Sequence, residues 1–309
     1  MADQRLATNL CGIQLRNPVL AASGTFGYGI EFQELLDLNQ LGGIVTKGLS
    51  REAIAGNPSP RLWPTEAGMI NSVGLQNIGV RGFVERKLPE LRRYAVPVIA
   101  NVFGFKDDDY VEVVRVLEDT EGIAAYELNV SCPNTKQGGI SFSTEPGVMA
   151  DLIAQVRRAA RRPLIAKLSP NVARIEPFAR AAEDAGADAI SLINTFVSLA
   201  IDLRTRGARI GAGFGGLSGS AIKPLALRLV YEAAHSVKIP VIGLGGIASG
   251  EDAAEFLMAG ARAVQVGTAT FVNPRAPLQV AQQLERVVRK QGLANVSELV
   301  GTFRLASSK

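Results

Sequence analysis

Residues 239–256, IPVIGLGGIASGEDAAEF, contain one full unit of a pattern that repeats along the chain. The first half is a short, nearly continuous apolar run that ends in Gly245 and Gly246, as expected for a parallel strand covered on both faces. The second half begins with Ser249, a favourable helix N-cap, followed three residues later by Asp252. Apolar residues then recur at helical spacing. The segment predicts a strand, a glycine turn and a helix.

The same unit can be followed from one end of the chain to the other. Eight short runs are rich in Val, Ile and Leu and have the length of buried parallel strands. These runs are 17–23, 42–48, 96–102, 124–130, 163–169, 187–194, 239–246 and 262–269. Amphipathic segments lie between or after them at 78–94, 107–119, 146–160, 175–185, 221–236, 250–259 and 276–290, with only a short helix near 31–38 in the first link.

Eight strand and helix units in succession predict an α/β fold, the (β/α)8 or TIM barrel. We expect residues 1–309 to form one domain, because no linker-like or low-complexity segment divides them. The opening residues RLATNLCGIQLRNP predict a small hairpin ahead of the barrel, with Cys11 and Gly12 near its turn. A structural role is therefore expected for Cys11.

Composition narrows the functional classes. The chain of 309 residues is 47% hydrophobic and 20% charged, and its net charge of +4 is mild and dispersed. A nucleic-acid surface is therefore not expected. Two cysteines supply neither a disulfide framework nor the four thiolates of a typical iron–sulfur cluster, and they favour a reducing compartment. We expect a cytoplasmic location, with no signal peptide, no membrane segment and no metal site.

Polar or small residues end most of the predicted strands. In such barrels, function gathers at the carboxyl ends of the strands. The residues at these ends are Ser23, Lys47, Asn101, Asn129, Lys167, Asn194, Gly245, Gly246, Gly267 and Thr268. A ring of this kind predicts a polar ligand at the barrel mouth.

The glycines after the last two strands predict an anion site, since backbone N–H groups and a helix start lie together there. Two G-x-G-x-x-G-like patterns could instead indicate a dinucleotide site. GAGFGG (211–216) has no strand before it, and the pattern in 243–248 has no acidic residue about 20 positions later, so a dinucleotide fold is rejected. We interpret 211–216 as a flexible loop, continuous with LSGS, that packs against the ligand.

Two lysines at strand ends need partners, because an unpaired buried ammonium is costly. The partner of Lys47 or Lys167 is either a structural carboxylate or an anionic ligand. With Asn71, Asn129, Asn134 and Asn194 they form a donor-rich pocket that suits a small planar molecule with carboxylate and amide groups.

Cys132 lies in the segment ELNVSCPNTKQGG, directly after a predicted strand. A thiol titrates near 8.5, so a modest shift makes it an acid–base group near neutrality. Pro133 favours an extended backbone at Cys132, and the following TKQGG suits a mobile lid. The only histidine, His235, is expected on a helix surface. Cys132 is therefore the best candidate base.

Together, ELNVSCPNTKQGG, TKGLS, NSVGLQN, IAKLSP, LINT, GLSG, GLGGI and VGTA resemble class 1 dihydroorotate dehydrogenases over essentially the whole chain, in the same order. The resemblance implies an FMN-binding barrel that oxidises dihydroorotate to orotate in pyrimidine synthesis. It also implies that Cys132 takes the proton from C5 while a hydride passes from C6 to N5 of FMN.

The resemblance also implies the roles of the remaining residues. Those matching substrate contacts are Lys47, Asn71, Ser72, Val73, Gly74, Leu75, Asn129, Asn134, Asn194 and Thr195. Those matching FMN contacts are Ser23, Gly24, Lys47, Gly48, Asn101, Asn129, Lys167, Ile193 and Gly219, with Gly245, Gly246, Gly267 and Thr268 at the phosphate. Lys167 resembles the lysine that faces the pyrimidine edge of the flavin.

SGTFGYG (23–29) and CPNTKQGG resemble the NAD-linked class 1B branch. That branch implies a homodimeric core joined, in a heterotetramer, to a second subunit that carries FAD and a [2Fe–2S] cluster. The alternatives are a fumarate-linked class 1A enzyme and a dihydropyrimidine dehydrogenase-like enzyme. A flavin-free, aldolase-like phosphate-binding barrel and an inactive barrel scaffold are further alternatives.

Overall fold

The computed structural model describes residues 4–130 and 144–305. Its strands, numbered in chain order, are β1 (Thr8–Leu10), β2 (Ile13–Leu15), β3 (Val19–Ala21), β4 (Gly43–Val45), β5 (Leu62–Thr65), β6 (Gly68–Asn71), β7 (Val98–Val102), β8 (Ala125–Asn129), β9 (Leu164–Lys167), β10 (Ala189–Leu192), β11 (Phe196–Leu199), β12 (Ile201–Asp202), β13 (Gly207–Ala208), β14 (Phe214–Ser218), β15 (Val241–Leu244) and β16 (Ala263–Val266).

The α-helices are α1 (Gly79–Arg86), α2 (Leu88–Leu91), α3 (Asp107–Glu118), α4 (Pro146–Ala159), α5 (Glu176–Asp184), α6 (Lys223–Ala234), α7 (Gly250–Met258), α8 (Ala269–Val272) and α9 (Ala276–Lys290). Short 3-10 turns occupy Gln4–Leu6, Ile30–Phe32, Leu38–Gln40, Ser220–Ile222 and Val296–Leu299. In the described ranges, no helix is both long and apolar enough to traverse a bilayer.

Eight parallel strands close into a barrel in the order β3, β4, β7, β8, β9, β10, β15 and β16, and β16 pairs with β3. Each lies inside one of the eight apolar runs, so the predicted (β/α)8 barrel is confirmed. Ser249 accepts a hydrogen bond from the backbone N–H of Asp252, which confirms the predicted start of α7.

Side chains fill the barrel in layers. The layer farthest from the carboxyl ends of the strands, called the lowest layer here, contains Leu20, Val45, Ile99, Ala125, Ile165, Ala189, Ile242 and Ala263, all buried. Leu10 and Leu15 of the N-terminal hairpin belong to the same cluster, so the hairpin closes this end of the barrel. Because strand side chains alternate, the residues two positions further along point into the barrel nearer its mouth.

Three local predictions were wrong. The segment 78–94 is not one helix: α1 ends at Arg86 and α2 begins at Leu88, because Pro89 in the first turn of α2 has no N–H to donate to a continuing helix. The link near 31–38 contains 3-10 turns rather than an α-helix.

The third error concerns GAGFGG (211–216), which was interpreted as a flexible loop. Its second half belongs to β14, and β14 lies between β11 and β6 in an antiparallel sheet of four strands. Glycine is required there because a Cβ on Gly216 would meet Oγ1 of Thr195 at 2.0 Å. The prediction failed because glycine-rich segments have low strand propensity, and close packing here outweighs that preference.

Glu118 on α3 connects the outer helices and allows a stability prediction. Burial alone would raise the pKa of its carboxyl group, but the backbone N–H groups of Arg161 and Arg162 and the Arg161 guanidinium donate to it, and together they lower its pKa to about 2. A carboxyl whose folded pKa lies below its ordinary value stabilises the fold above that ordinary value. This stabilisation is lost as the pH falls towards 2.

Glu118→Gln should therefore lower the free energy of unfolding by about 2 kcal/mol at neutral pH, after allowance for solvent around Arg161. The difference from the parent should shrink below pH 4.5 and vanish near pH 2. Urea unfolding across this pH range measures it. Glu285→Gln, which removes a surface pair with Arg289 on α9, is the control and should change stability by less than ~0.5 kcal/mol. A pH-independent difference for Glu118→Gln would contradict this origin.

Candidate active site

A large cleft lies over the carboxyl ends of the barrel strands, bounded by loops that follow them and by the antiparallel sheet. Its volume is about 1560 Å³. Pockets for a single small ligand usually measure 300–1,000 Å³, so this cleft can hold two molecules side by side.

Most of the predicted site residues meet in this cleft. Those among the lining residues are Ser23, Gly24, Lys47, Gly48, Asn71, Ser72, Val73, Gly74, Leu75, Asn101, Asn129, Lys167, Ile193, Asn194, Thr195, Gly219, Gly245, Gly246, Gly267 and Thr268. Cys132 and Asn134 lie outside the described residues, as does the predicted TKQGG lid. Asn129 and Thr144, which flank that segment, both line the cleft.

Lys47, two residues beyond β4, carries the ammonium group best placed for an anionic ligand. Within the described part of the chain its Nζ has no hydrogen-bond or ion-pair partner, and Glu31, the acid that influences it, is already paired with Lys87 at 2.9 Å. Burial, with a smaller contribution from the positive charge of Arg61, lowers the pKa of Lys47. No carboxylate among residues 4–130 and 144–305 therefore neutralises this half-buried cation, which leaves a ligand as the natural partner.

Amide side chains surround the same side of the cleft and are held in place by the chain itself. Asn194 Nδ2 donates to Asn129 Oδ1 at 3.2 Å, and Asn71 Nδ2 donates to the carbonyl of Gly216 at 3.2 Å. Asn57 Nδ2 donates to Ser72 Oγ at 2.9 Å, which fixes the start of the 72–75 loop. Fixed amides of this kind can form specific hydrogen bonds with the donors and acceptors along the edge of a planar polar molecule.

Lys167 lies deeper, at the end of β9, and is buried. Its Nζ donates to Ser23 Oγ at 3.0 Å and lies 3.4 Å from Glu127 Oε1. Glu127 is fully buried, and Asn101 Nδ2 also donates to Oε1, at 2.7 Å. The predicted strand-end residues Ser23, Asn101 and Lys167 thus belong to one hydrogen-bonded cluster.

Two further residues of this cluster, Glu127 and Gln265, were not predicted as site residues from the sequence. Both lie two residues beyond a lowest-layer residue, Ala125 and Ala263, so alternation along a strand already places them inside the barrel. Gln265 Nε2 donates to Glu127 Oε2 at 2.6 Å. Its Oε1 is buried against the cleft without a partner among the described residues.

The glycine loops after β15 and β16 form a tight cradle at one end of the cleft. Gly245 and Gly246 have φ values of +130° and +77°, which other residues rarely adopt. A Cβ on Gly246 would approach Cβ of Lys223 to 2.8 Å and the carbonyl oxygen of Gly219 to 2.9 Å. Only glycine therefore allows the backbone at 246 to pack this closely against Gly219 and Lys223, and Gly245, Gly246, Gly267 and Thr268 all line the cleft.

The start of α7 differs from the expected open helix terminus. Asp252 Oδ2 accepts hydrogen bonds from the backbone N–H groups of Ala248 and Ser249, and Lys223 forms an ion pair with Asp252. This internal cap satisfies two N–H groups of the terminus. A bound anion would therefore use the Gly245–Gly246 turn and the Gly267–Thr268 loop rather than the first turn of α7.

The two remaining candidates from the sequence lie away from the cleft. His235 is exposed directly after α6, as predicted. Cys11 lies at the turn of the hairpin, where its Sγ donates to the carbonyl of Asp188 at 3.2 Å. Burial, with the nearby charge of Asp188, raises the pKa of Cys11 to about 11, which leaves it protonated near neutrality.

The donor set suits FMN on structural grounds. The glycine cradle suits a phosphate, and the cleft is large enough for a second molecule beside it. The buried cluster around Lys167 and the unpartnered Gln265 Oε1 offer a cation, donors and an acceptor to a polar ring. Fold and site together define a (β/α)8 barrel whose mouth is built for an anionic cofactor and a polar planar substrate.

Comparison with known proteins narrows the class to a family. The family model for dihydroorotate dehydrogenase matches residues 5–288. A protein of Solibacter usitatus, provisionally named dihydroorotate dehydrogenase A (fumarate), is 66% identical over 97% of this chain and 99% of its own length. Proteins of Trichlorobacter lovleyi and Pelobacter propionicus, both named dihydroorotate dehydrogenase B (NAD(+)), catalytic subunit, are 51% and 50% identical over 96% of this chain and 98% of theirs.

The chain belongs to the dihydroorotate dehydrogenase family, and the resemblance to its class 1 members is confirmed. Membership makes the protein an oxidoreductase and implies FMN as its cofactor.

Proposed function

We propose that this protein uses FMN to oxidise dihydroorotate to orotate in pyrimidine synthesis. The observation that carries the proposal is Lys47, a half-buried ammonium that no described carboxylate neutralises and that faces a cleft lined with fixed amides. The carboxylate of dihydroorotate supplies the missing negative charge, and its ring amide groups match Asn71, Asn129 and Asn194. A dihydropyrimidine without a carboxylate would leave Lys47 unpaired.

In this proposal, separate groups of residues bind FMN, accept the proton and orient the substrate. Gly245, Gly246, Gly267 and Thr268 hold the FMN phosphate, and the remaining cofactor contacts are Ser23, Gly24, Lys47, Gly48, Asn101, Asn129, Lys167, Ile193 and Gly219. Bound FMN supplies the hydride acceptor for C6 of dihydroorotate. Cys132 accepts the proton from C5, and Lys47 with the 71–75 loop, Asn129, Asn134, Asn194 and Thr195 orients the substrate.

Steady-state assays with an artificial electron acceptor test the substrate assignment. The FMN-loaded protein should oxidise dihydroorotate far faster than dihydrouracil, which has the same ring without the carboxylate. Equal or faster oxidation of dihydrouracil would contradict the assignment and favour a dihydropyrimidine dehydrogenase-like activity.

Lys47→Met should raise the KM for dihydroorotate by roughly 10- to 100-fold, the loss expected for one charge-assisted hydrogen bond. FMN content should be unchanged. Because burial lowers the pKa of Lys47, the parent's KM should rise with pH as this group loses its proton, earlier than for an ordinary lysine. Lys238→Met, which removes an exposed lysine, is the control. A normal KM in Lys47→Met would refute the assignment.

We further propose that electrons pass to NAD through a partner subunit, because the class B relatives are named as catalytic subunits of an NAD(+)-linked enzyme. That partner would bear the FAD and the [2Fe–2S] cluster that the class 1B resemblance implies. Exposed apolar side chains in the segment 197–203, which meets the cleft at Val197, support an interface: Val197, Ile201 and Leu203 are 65%, 56% and 87% exposed. A homodimeric core within a heterotetramer, located in the cytoplasm, completes the proposal.

The 66% identical relative, whose name assigns fumarate as acceptor, favours a second candidate, a class A enzyme. The two candidates differ in what the isolated chain can do. A class B catalytic subunit should reduce fumarate poorly, and should reduce NAD efficiently only after its partner, co-purified from the native host, is added. Rapid fumarate reduction by the isolated chain would establish the class A alternative.

A further inference from the structure

Glu127 on β8 is a fully buried carboxylate directly behind the cleft wall. Both of its oxygens accept hydrogen bonds. Oε1 accepts from Asn101 Nδ2 at 2.7 Å and from Lys167 Nζ at 3.4 Å, and Oε2 accepts from Ser191 Oγ at 2.9 Å and from Gln265 Nε2 at 2.6 Å. These donors come from β7, β9, β10 and β16, so one acid connects four strands besides its own.

The position of Glu127 behind the cleft wall indicates a role in the site rather than in the stability of the fold. A buried ion pair is on average no better for stability than well-packed apolar residues, so stability alone does not explain a charge here. Asn101, Lys167 and Gln265 line the cleft, whereas Glu127 lies behind them. The carboxylate therefore reaches the ligand only through the groups that it holds.

We propose that Glu127 is a positioning residue that fixes the Lys167 ammonium at the cleft wall and sets the net charge beside bound FMN. This inference rests on the proposed function. Lys167 Nζ is held between Ser23 Oγ and Glu127 Oε1, which limits a long, flexible side chain to one location. The negative charge offsets much of the ammonium's field at the flavin.

The opposing charges of Lys167 and Glu127 should shift the reduction potential of bound FMN in opposite directions. A cation beside the flavin stabilises the extra negative charge of the reduced ring and raises its reduction potential. A carboxylate behind that cation lowers the potential again. Glu127 thus keeps the reduced cofactor able to pass electrons onward, which the proposed function requires.

The test is the two-electron reduction potential of the bound FMN in the holoprotein, measured by spectroelectrochemical titration. Glu127→Gln keeps the shape of the side chain and removes its charge. The Ser191 hydroxyl can rotate, and the Gln265 amide can turn its unpartnered Oε1 towards the new amide group. We expect FMN to stay bound and the equilibrium constant for reduction to rise at least tenfold, a positive shift of ~30 mV.

Two further variants make the result specific. Glu127→Asp keeps the charge but withdraws it from Lys167, and should shift the potential in the same direction by a smaller amount. Glu118→Gln removes a different buried carboxylate, one paired with Arg161 and Arg162 on the outer side of the barrel, and should leave the potential unchanged.

An unmoved potential in Glu127→Gln would overturn the inference while leaving the proposed function intact. An equal shift in Glu118→Gln would also overturn it, since the effect would then be a general response to a lost buried charge. If Glu127→Gln does not retain FMN, the sign of the shift in Glu127→Asp decides the question. A parent protein that binds no FMN would overturn the proposed function itself.

Discussion

Replacing Cys132 by alanine should lower the rate of dihydroorotate oxidation by roughly 10²- to 10⁴-fold at neutral pH, the range expected when a general base is removed. No histidine can replace it as the acceptor of the C5 proton, since the only one in the sequence, His235, is exposed away from the cleft. Bound FMN should be retained, because all the proposed cofactor contacts except Asn129 lie on other strands and loops.

The measurement is single-turnover reduction of FMN by dihydroorotate in the absence of oxygen. Cys11→Ala is the matched control, because it removes the other cysteine, at the hairpin that closes the opposite end of the barrel. It should leave the rate unchanged. Cys132→Ser should recover activity only as the pH rises, since a hydroxyl gives up its proton less readily than a thiol. Near-normal reduction by Cys132→Ala at neutral pH would exclude Cys132 as the base.

Gly246→Ala should weaken FMN binding by roughly 100-fold. The residue has a φ of +77°, and an added Cβ would lie 2.9 Å from the carbonyl oxygen of Gly219 and 2.8 Å from Cβ of Lys223. Both the strain and the displaced backbone would distort the cradle proposed for the phosphate, at a cost of a few kcal/mol.

Equilibrium dialysis of the apoprotein with FMN gives the dissociation constant directly. Gly292→Ala is the matched control, because Gly292 has a similar φ of +72° but no atom within 4 Å of an added Cβ, and it does not line the cleft. Both variants should lose stability from backbone strain, and only Gly246→Ala should lose FMN. Equal FMN affinity in the two variants would place the phosphate elsewhere.

The barrel could be predicted from sequence because its signal is local and repeated. Each strand is a short apolar run followed by a turn, as in 239–246, and burial on both faces makes such runs conspicuous. The antiparallel sheet could not be predicted this way. Strand β5 contains Pro64 and strand β14 contains Gly215 and Gly216, which are unfavourable in strands, and β14 pairs with β6 from more than 100 residues earlier in the chain.

The site residues likewise divide into those predictable from local sequence and those visible only in the folded barrel. Lys47, Asn101 and Lys167 were predictable because each interrupts an apolar run at the end where barrels place function. Glu127 was overlooked because it lies within such a run, although counting in steps of two from Ala125 places it inside the barrel. Its partners Ser191 and Gln265 come from distant strands, so the cluster becomes visible only when the barrel closes.

The most direct test of the account is anaerobic mixing of the FMN-loaded protein with one equivalent of dihydroorotate, followed by visible absorption and by analysis of the released product. We predict that the flavin absorption bleaches and that one orotate forms for each flavin reduced. A flavin that remains oxidised with dihydroorotate, but bleaches with a dihydropyrimidine lacking the carboxylate, would contradict the role assigned to Lys47 and the function proposed for the cleft.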